Sequence, residues 1–267
     1  MIDAGKKNIL GVMVNAIDYE AAVERVIHAA QERQPLAVTA LAVHGVMTGS
    51  DPVQRYRLNH LDLVAPDGMP VRWALNWLYG AGLPDRVYGP TLTLKVCARA
   101  AEESLPIYLY GSKPEVIDLL QQNLLRQFPR LIIAGVQPSR FRRLTLDEKG
   151  QVVEQIRSSG ARLVFIGLGC PRQETWAYEF RDDLSMPLLA VGAAFDFHAG
   201  LLPQAPPGMQ QRGLEWLFRL GMEPRRLWKR YIMLNPAYLW RLALQASRIR
   251  VIDPLSGVRP PEQMLFG

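Results

Sequence analysis

Short apolar runs alternate with longer amphipathic segments through the middle of the chain. Four runs between Leu105 and Phe197 are almost wholly apolar, and each ends in glycine: residues 107–111, 131–135, 163–167 and 188–192. Apolar runs of this length are typical of buried strands. The segments between them, residues 114–128, 145–158 and 171–182, open with proline or with a capping-box pair, Thr145 and Glu148, which favours helices. This alternation predicts a parallel sheet with helices on both faces.

The first third of the chain has the same ingredients. Its pattern predicts helices over 19–31, 44–58 and 69–78 and from about Pro90, strands over 36–39 and 61–64, and a turn at 65–68. Ligands bind to open parallel sheets beyond the carboxyl ends of the strands. The glycines that close the apolar runs let the backbone approach a ligand there. We therefore expect the functional site at that edge of the sheet.

The pattern changes beyond Gly200. Residues 201–208 hold three prolines, and a long helical, basic and aromatic segment follows to about Val251. We predict two parts: an α/β, Rossmann-like core over residues 1–205, with a parallel sheet flanked by helices, and a basic helical appendage over residues 206–267.

The positive charge lies mainly in this appendage. Residues 212–250 hold nine Lys or Arg against two Glu, a net charge of +7 in a chain whose net charge is +6, so an anionic partner is expected. The cations are interleaved with Trp216, Phe218, Trp228 and Tyr231, as is typical of a membrane interface. A helix packed on the core with a solvated basic face gives the same pattern. A nucleic acid is a third alternative, although no nucleic-acid-binding motif accompanies the charge.

Other features narrow the class of protein. The N-terminus has no apolar run of signal-peptide length, and no uninterrupted apolar stretch of transmembrane length is present. We therefore expect a soluble, cytoplasmic chain. The two cysteines, Cys97 and Cys170, indicate neither a disulfide framework nor a zinc site.

Asp67 is the first candidate for chemistry. It lies in a Pro-Asp-Gly turn directly after a predicted strand, where a partly buried carboxylate can act as a general base. The same residue types also form ordinary turns, in which the Asp side chain bonds to its own backbone. Spacing alone favours that second interpretation.

Residues 167–174 follow a predicted buried strand and begin a helix. This placement puts backbone N–H groups and Arg172 where a phosphate can be held. The loop matches neither the G-x-G-x-x-G fingerprint nor a Walker loop, so an ordinary turn is an equal alternative. Asp196, at the end of the last apolar run, can bind a nucleobase or ribose, or cap a helix. Arg86, before a helix, can clamp a diphosphate or cover the surface with its stem.

Seven segments, taken in order, resemble the WecG/TagA/CpsF family of bacterial glycosyltransferases. They are residues 38–39 with His44 downstream, 65–68, 86–89, 108–111, 167–174, 192–200, and 213–220 with 223–226. Each motif alone is weak evidence, whereas seven in the same order over residues 8–235 are strong.

The resemblance implies a reaction and a set of residues. Family members transfer N-acetylmannosamine or another hexose, with inversion and without a metal, from a UDP-sugar to an undecaprenyl-diphosphate-linked sugar. The residues that it assigns to catalysis are Asp67, as the general base, Thr39, Arg86 and Gln173. Those that it assigns to the nucleotide are Gly111, Gly167, Gly169, Gln173 and Asp196. Those of the appendage that would reach the lipid diphosphate or the membrane are Arg219, Arg225, Arg226 and Arg230.

The residues are consistent with this chemistry. Inverting transfer is a single displacement, which needs one base for the acceptor hydroxyl and stabilisation of the departing UDP. No Asp-x-Asp metal motif lies near the predicted strand ends. We therefore expect no metal or other cofactor, with arginines and helix N-termini offsetting the diphosphate charge.

The chain departs from the family pattern at Leu41. Family members usually have Asn at this position, two residues after the Thr, and Ala-Glu is common where Ala42 and Val43 follow here. Loss of a polar group that could touch the donor leads us to expect a hexose other than N-acetylmannosamine, namely glucose for an exopolysaccharide.

The expected partners follow from the same resemblance. They are a UDP-sugar, a polyprenyl-diphosphate-linked acceptor and the anionic inner face of the plasma membrane, with no nucleic acid, and a homo-oligomer is possible. Two other classes stay open. A nucleotide-dependent oxidoreductase shares the sheet, but the expected glycine fingerprint with an acidic residue about 20 positions on is missing. A noncatalytic lipid- or nucleic-acid-binding protein would use the basic segment alone.

Overall fold

A six-stranded, wholly parallel sheet forms the centre of the protein. The computed structural model describes the backbone of residues 1–267 and every side chain except those of Pro207, Gln211, Arg226, Lys229 and Arg230. The strands are β1 (Asp3–Ile9), β2 (Val12–Ile17), β3 (Leu36–Leu41), β4 (Leu63–Pro66), β5 (Ile107–Gly111), β6 (Ile133–Gln137), β7 (Leu163–Gly167) and β8 (Pro187–Ala190). The six-stranded sheet has the order β4-β3-β8-β7-β5-β6. The predicted Rossmann-like α/β core is therefore confirmed.

Helices cover both faces of this sheet. They are α1 (Tyr19–Glu32), α2 (Val43–Thr48), α3 (Pro52–Asn59), α4 (Met69–Tyr79), α5 (Gly89–Glu102), α6 (Pro114–Gln127), α7 (Leu146–Ser158), α8 (Arg172–Leu184) and α9 (Ala194–His198). One face packs on α1, α5, α6 and α9, and the other packs on α2, α4, α7 and α8. Strands that are buried on both faces have continuous apolar sequences, which explains the short apolar runs. The predicted capping box at Thr145 and Glu148 is present at the start of α7.

The N-terminal hairpin of β1 and β2 was not predicted from the apolar pattern. β1 contains two lysines and is largely exposed or half-buried, so it lacks an apolar run. Leu10 and Gly11, which join the strands, have φ angles of 54° and 89°. Two consecutive left-handed residues are typical of a tight hairpin turn that matches the twist of the strands.

Several predicted boundaries were wrong. The single helix predicted over 44–58 is two helices, because Asp51 caps Val53 and Pro52 begins a new helix at α3. The strand predicted over 61–64 is displaced by two residues and includes Pro66, which is tolerated because β4 is at the edge of the sheet. The strand predicted over 131–135 is also displaced, so Gly135 lies within β6 and does not close it.

Beyond α9 the chain is a series of short helices rather than one long helical segment. They are α10 (Pro207–Gln211), α11 (Glu215–Met222), α12 (Pro224–Lys229), a π-helical turn (Arg230–Leu234), α13 (Asn235–Ala246) and a 3-10 turn (Pro254–Ser256). The chain then returns to the core, where Glu179 accepts hydrogen bonds from the Met264 and Leu265 amides at 2.7 and 2.9 Å. The division at residue 205 stays a prediction. Within the described residues, no helix is long and apolar enough to cross a bilayer.

Candidate functional site

A cleft of about 690 Å³ opens along the carboxyl edge of the sheet. Its walls come from the segments that follow β3, β4, β5, β7 and β8, from the start of α5 and from Phe141, together with one side chain of α11. Pockets of a few hundred to about 1,000 Å³ are typical of small-molecule sites. The predicted site residues that line this cleft are Asp67, Gly167, Gly169, Gln173, Asp196 and Arg219.

Asp67 lies where this cleft meets a second cavity. The second cavity has a volume of about 120 Å³ and lies between the core and α11. Asp67 lines both spaces. Its Oδ1 accepts a hydrogen bond of 3.1 Å from the amide of Gly89, 22 residues along the chain. The side chain is therefore bonded to a distant element and faces the cleft, which differs from an ordinary Asp turn.

The surroundings of Asp67 make its carboxylate a stronger base than usual. Burial is the main cause that raises the pKa of Asp67 from 3.8 to about 6. The positive charge of Arg86 lowers this pKa, whereas the negative charge of Glu215 raises it. A carboxyl group that titrates near pH 6 is largely ionised at neutral pH and is still basic enough to accept a proton from an alcohol in a transition state.

Arg86 lies in the second cavity rather than in the main cleft. Its guanidinium forms a buried ion pair with Glu215, the first residue of α11. The same guanidinium stacks on the ring of Tyr88, with 4.2 Å between Arg86 Cζ and the ring centroid. Because the charge of Arg86 is already paired, its predicted contact with a diphosphate would require exchange of this partner.

A glycine-rich loop forms the wall of the cleft after β7. A Cβ atom at Gly167 would lie 2.5 Å from the ring of Phe195, and one at Gly111 would lie 2.9 Å from the backbone of Gly167. Both distances are shorter than real Cβ contacts, so larger residues would displace the loop. Gly169, with φ of 77°, turns the chain towards α8. Gly111 pairs with Gly167 from the neighbouring strand β5, whereas Gly167 and Gly169 line the cleft.

Gln173 fixes this loop. Its Oε1 accepts a hydrogen bond of 3.1 Å from the Gly169 amide, and its Nε2 donates one of 3.0 Å to Oε1 of Glu174. Both ends of the side-chain amide therefore have protein partners. Gln173 lines the cleft as predicted, and its amide holds the orientation of the loop.

Thr39 is connected to the cleft through Glu174. The Thr39 side chain is fully buried, and its hydroxyl donates a hydrogen bond of 3.0 Å to Glu174 Oε1. Burial raises the pKa of Glu174, against the hydrogen bonds that lower it. Thr39 thus supports the floor of the cleft and does not line it. Sequence analysis did not single out Glu174, although it ends the 167–174 motif.

Asp196 lies on a short helix and not on a strand end as predicted. The chain turns after β8, and Asp196 is in the first turn of α9, on the wall of the cleft. His198 on the same helix makes a hydrogen bond of 2.8 Å through Nε2 with the Pro90 carbonyl, and burial lowers its pKa. His198 is therefore a packed residue, in agreement with the simpler interpretation of its position.

The arginines of the appendage are in different environments. Arg219 lines both cavities, and its Cζ lies 5.6 Å from the centroid of the Phe197 ring. Arg225 is exposed. Arg226 and Arg230 lie outside the described side chains. Among the appendage cations whose side chains are described, Arg219 lines the cleft together with Asp67.

Leu41, where the sequence departs from the family pattern, lines the cleft at the end of β3. It is also packed in the core, with 1% of its surface exposed. The residue at this part of the wall is therefore apolar. Among the described residues, no three His, Cys, Asp or Glu side chains are grouped so that they could hold a metal ion.

Comparison with known protein families gives a match over most of the chain. The model of the glycosyl transferase WecG/TagA/CpsF family matches residues 7–251. This match covers nearly the whole chain and includes the sheet, the cleft and most of the appendage. An oxidoreductase is not favoured by it. The chain belongs to the WecG/TagA/CpsF family of glycosyltransferases.

Proposed function

We propose that this enzyme is an inverting glycosyltransferase that moves a hexose from a UDP-sugar to an undecaprenyl-diphosphate-linked sugar, without a metal. The product would belong to a bacterial surface polysaccharide or exopolysaccharide. The observation that carries the proposal is Asp67, which lies at the junction of a large and a small cavity and has a pKa raised to about 6.

The large cleft suits the donor. The loop after β7, which leads into the N-terminus of α8, and the cation of Arg219 line the same space. A helix N-terminus and an arginine both favour a diphosphate. Asp196 lines the same cleft, and its carboxylate is proposed to contact the nucleoside part. These are the groups that would stabilise UDP as the bond between its β-phosphate oxygen and the sugar breaks.

The smaller cavity suits the acceptor hydroxyl. It lies between Asp67 and the appendage, and Trp216 and Tyr231 contribute aromatic surface to it. An acceptor oxygen placed there would give its proton to the Asp67 carboxylate while it attacks the anomeric carbon from the side opposite UDP. A single displacement of this kind inverts the anomeric configuration.

The appendage suits a lipid-linked acceptor at an anionic membrane surface. Large apolar side chains of this segment are exposed, including Trp216, Trp228, Ile232, Met233 and Trp240. Arg225 is exposed among them. Aromatic and basic side chains together favour the interface of a membrane rich in anionic lipid. We therefore propose peripheral association with the inner face of the plasma membrane.

The donor sugar is proposed from Leu41. An apolar residue in this part of the wall offers no hydrogen bond to a polar substituent of the donor. We propose glucose in place of N-acetylmannosamine.

A transfer assay tests the proposed function. The purified chain is incubated with UDP-glucose, UDP-N-acetylmannosamine or another UDP-hexose, a synthetic lipid-diphosphate sugar and EDTA. The expected result is transfer with release of UDP, most rapid from UDP-glucose and undiminished by EDTA. Turnover of UDP-N-acetylmannosamine alone would contradict the choice of donor. Loss of transfer in EDTA that Mg²⁺ restores would contradict the metal-free mechanism.

A further inference from the structure

A buried ion pair joins the appendage to the core directly beside Asp67. Arg86 belongs to the segment before α5, and Glu215 is the first residue of α11. Each residue is only 8% exposed. Truncation of one partner of a buried pair leaves the other charge buried without compensation. Loss of either residue should therefore change the charge environment beside Asp67.

The segment that carries Arg86 also holds Asp67. The Val87 amide donates a hydrogen bond of 2.8 Å to the Pro66 carbonyl, and the Gly89 amide donates one of 3.1 Å to Asp67 Oδ1. Two backbone amides just after Arg86 are therefore hydrogen-bonded to Asp67 and to the residue before it, which fixes the position of Arg86 relative to the Asp67 carboxylate. Movement of the Arg86 guanidinium alone would change the electrostatic potential at the Asp67 carboxylate, even if the strands of the sheet stayed in place.

The backbone just before α11 places Glu215 close to the core. Gly213 has φ of 71°, and a Cβ atom there would lie 3.2 Å from the ring of Trp73 on α4. This close approach brings the chain against α4 immediately before Glu215. The Glu215 carboxylate then pairs with Arg86, and both residues line the second cavity.

We propose that Glu215 is a positioning residue, whose ion pair with Arg86 keeps that guanidinium from pairing with the Asp67 carboxylate. This proposal rests on the proposed function of Asp67. With Glu215 in place, the Arg86 charge is shared with the appendage. Without it, Asp67 is the other carboxylate whose charge acts on the Arg86 guanidinium, and a base that is paired with an arginine is weak.

Other charged or titratable groups also face Asp67. They are Tyr19 of α1, His44 of α2, Tyr88 beside Arg86, and Arg219 of α11. Of the charged groups that act on Asp67, Glu215 is the one that raises its pKa, whereas Arg86 and Arg219 lower it.

The test is the pH dependence of kcat/KM in charge variants. Glu215→Gln keeps the size and hydrogen-bonding atoms of the side chain but removes its charge. In the Glu215→Gln variant we expect the acidic limb of the kcat/KM profile to move to lower pH by about one unit, which is the lower end of the effect of a neighbouring charge. The plateau value of kcat/KM should fall a few-fold. Arg86→Gln should move the limb in the opposite direction. Glu215→Asp should restore the wild-type limb, and Glu154→Gln, which removes the same charge from an exposed position on α7, should leave it unchanged.

The pKa of Asp67 can also be read without turnover. In protein labelled with ¹³C at aspartate carboxyl carbons, the Asp67 resonance is assigned by its loss in Asp67→Asn and is titrated in each variant. A titration midpoint that is the same in wild type, Glu215→Gln and Arg86→Gln would overturn the proposal, even if kcat falls. If instead Asp67→Asn retains full turnover, the proposed base itself is wrong, whatever the Glu215 variants do.

Discussion

Replacement of Asp67 by Asn is expected to abolish transfer and to stabilise the fold at the same time. The Asn side chain keeps the size of Asp67 and an oxygen that can accept the Gly89 hydrogen bond, but it cannot take a proton from an acceptor hydroxyl. It also removes a charge from a site where burial opposes ionisation. The two effects have one cause, the position of the carboxylate in a partly enclosed cavity.

The magnitude follows from the pKa. Because the native pKa of Asp67 is about 6 and its ordinary value is 3.8, the native state binds the proton more tightly than the unfolded state. The free energy of unfolding therefore falls as pH rises between these two values and is constant above the native pKa. At 1.36 kcal/mol per pH unit, the ionised carboxylate costs about 3 kcal/mol above pH 6. This figure is an upper bound, since water from the cleft screens the charge.

The assay compares wild type with Asp67→Asn at two pH values. At pH 8 the variant should unfold with a Tm higher by several degrees, since about 1 kcal/mol shifts the Tm of a domain of this size by roughly 2–4 °C. Near pH 4 the Tm values should be equal. Wild-type kcat/KM should fall with an acidic limb near pH 6 because protonated Asp67 is no longer a base. A Tm difference independent of pH, or an acidic limb near pH 4, would refute the reasoning.

Three further changes test other parts of the site. In denaturant unfolding, the free energy of unfolding of Glu174→Gln should lie within about 1 kcal/mol of the wild-type value. Glu174→Ala removes the hydrogen-bond partner of two buried groups and should lower that free energy by about 2–3 kcal/mol. Equal losses in the two variants would argue against the buried network. The double change Ile232→Ser and Trp240→Ser should weaken sedimentation with anionic liposomes several-fold, and Leu146→Ser, an exposed change on α7, should not; equal sedimentation of all three proteins would argue against the appendage surface. Leu41→Asn should raise turnover of UDP-N-acetylmannosamine relative to UDP-glucose, and an unchanged ratio would separate Leu41 from donor choice.

The sequence predicted the centre of the fold better than its edges. Strands such as β5 and β7 are buried on both faces, so their apolar runs coincide with the strands themselves. One strand of the N-terminal hairpin, β1, is largely exposed and contains lysines. It has no apolar run from which a strand could be predicted. The end of β4 was misplaced because Pro66 reads as a turn residue, although an edge strand tolerates proline.

The candidate site was predicted where it depends on strand ends, and missed where it depends on contacts distant in sequence. Asp67 and Gly169 follow strands, so topology alone brings them to one edge of the sheet. The Thr39–Glu174 and Arg86–Glu215 contacts join residues that are 135 and 129 positions apart. Glu215 entered the sequence analysis only as a charge in a basic segment, because packing of α11 against the core is not visible in local spacing.

The structure of the protein with a bound UDP-sugar tests the account most directly. The account predicts the diphosphate between the loop after β7 and Arg219, with the hexose between the diphosphate and the Asp67 carboxylate. A donor bound outside this cleft, or an Asp67 side chain turned away from the anomeric carbon, would contradict it.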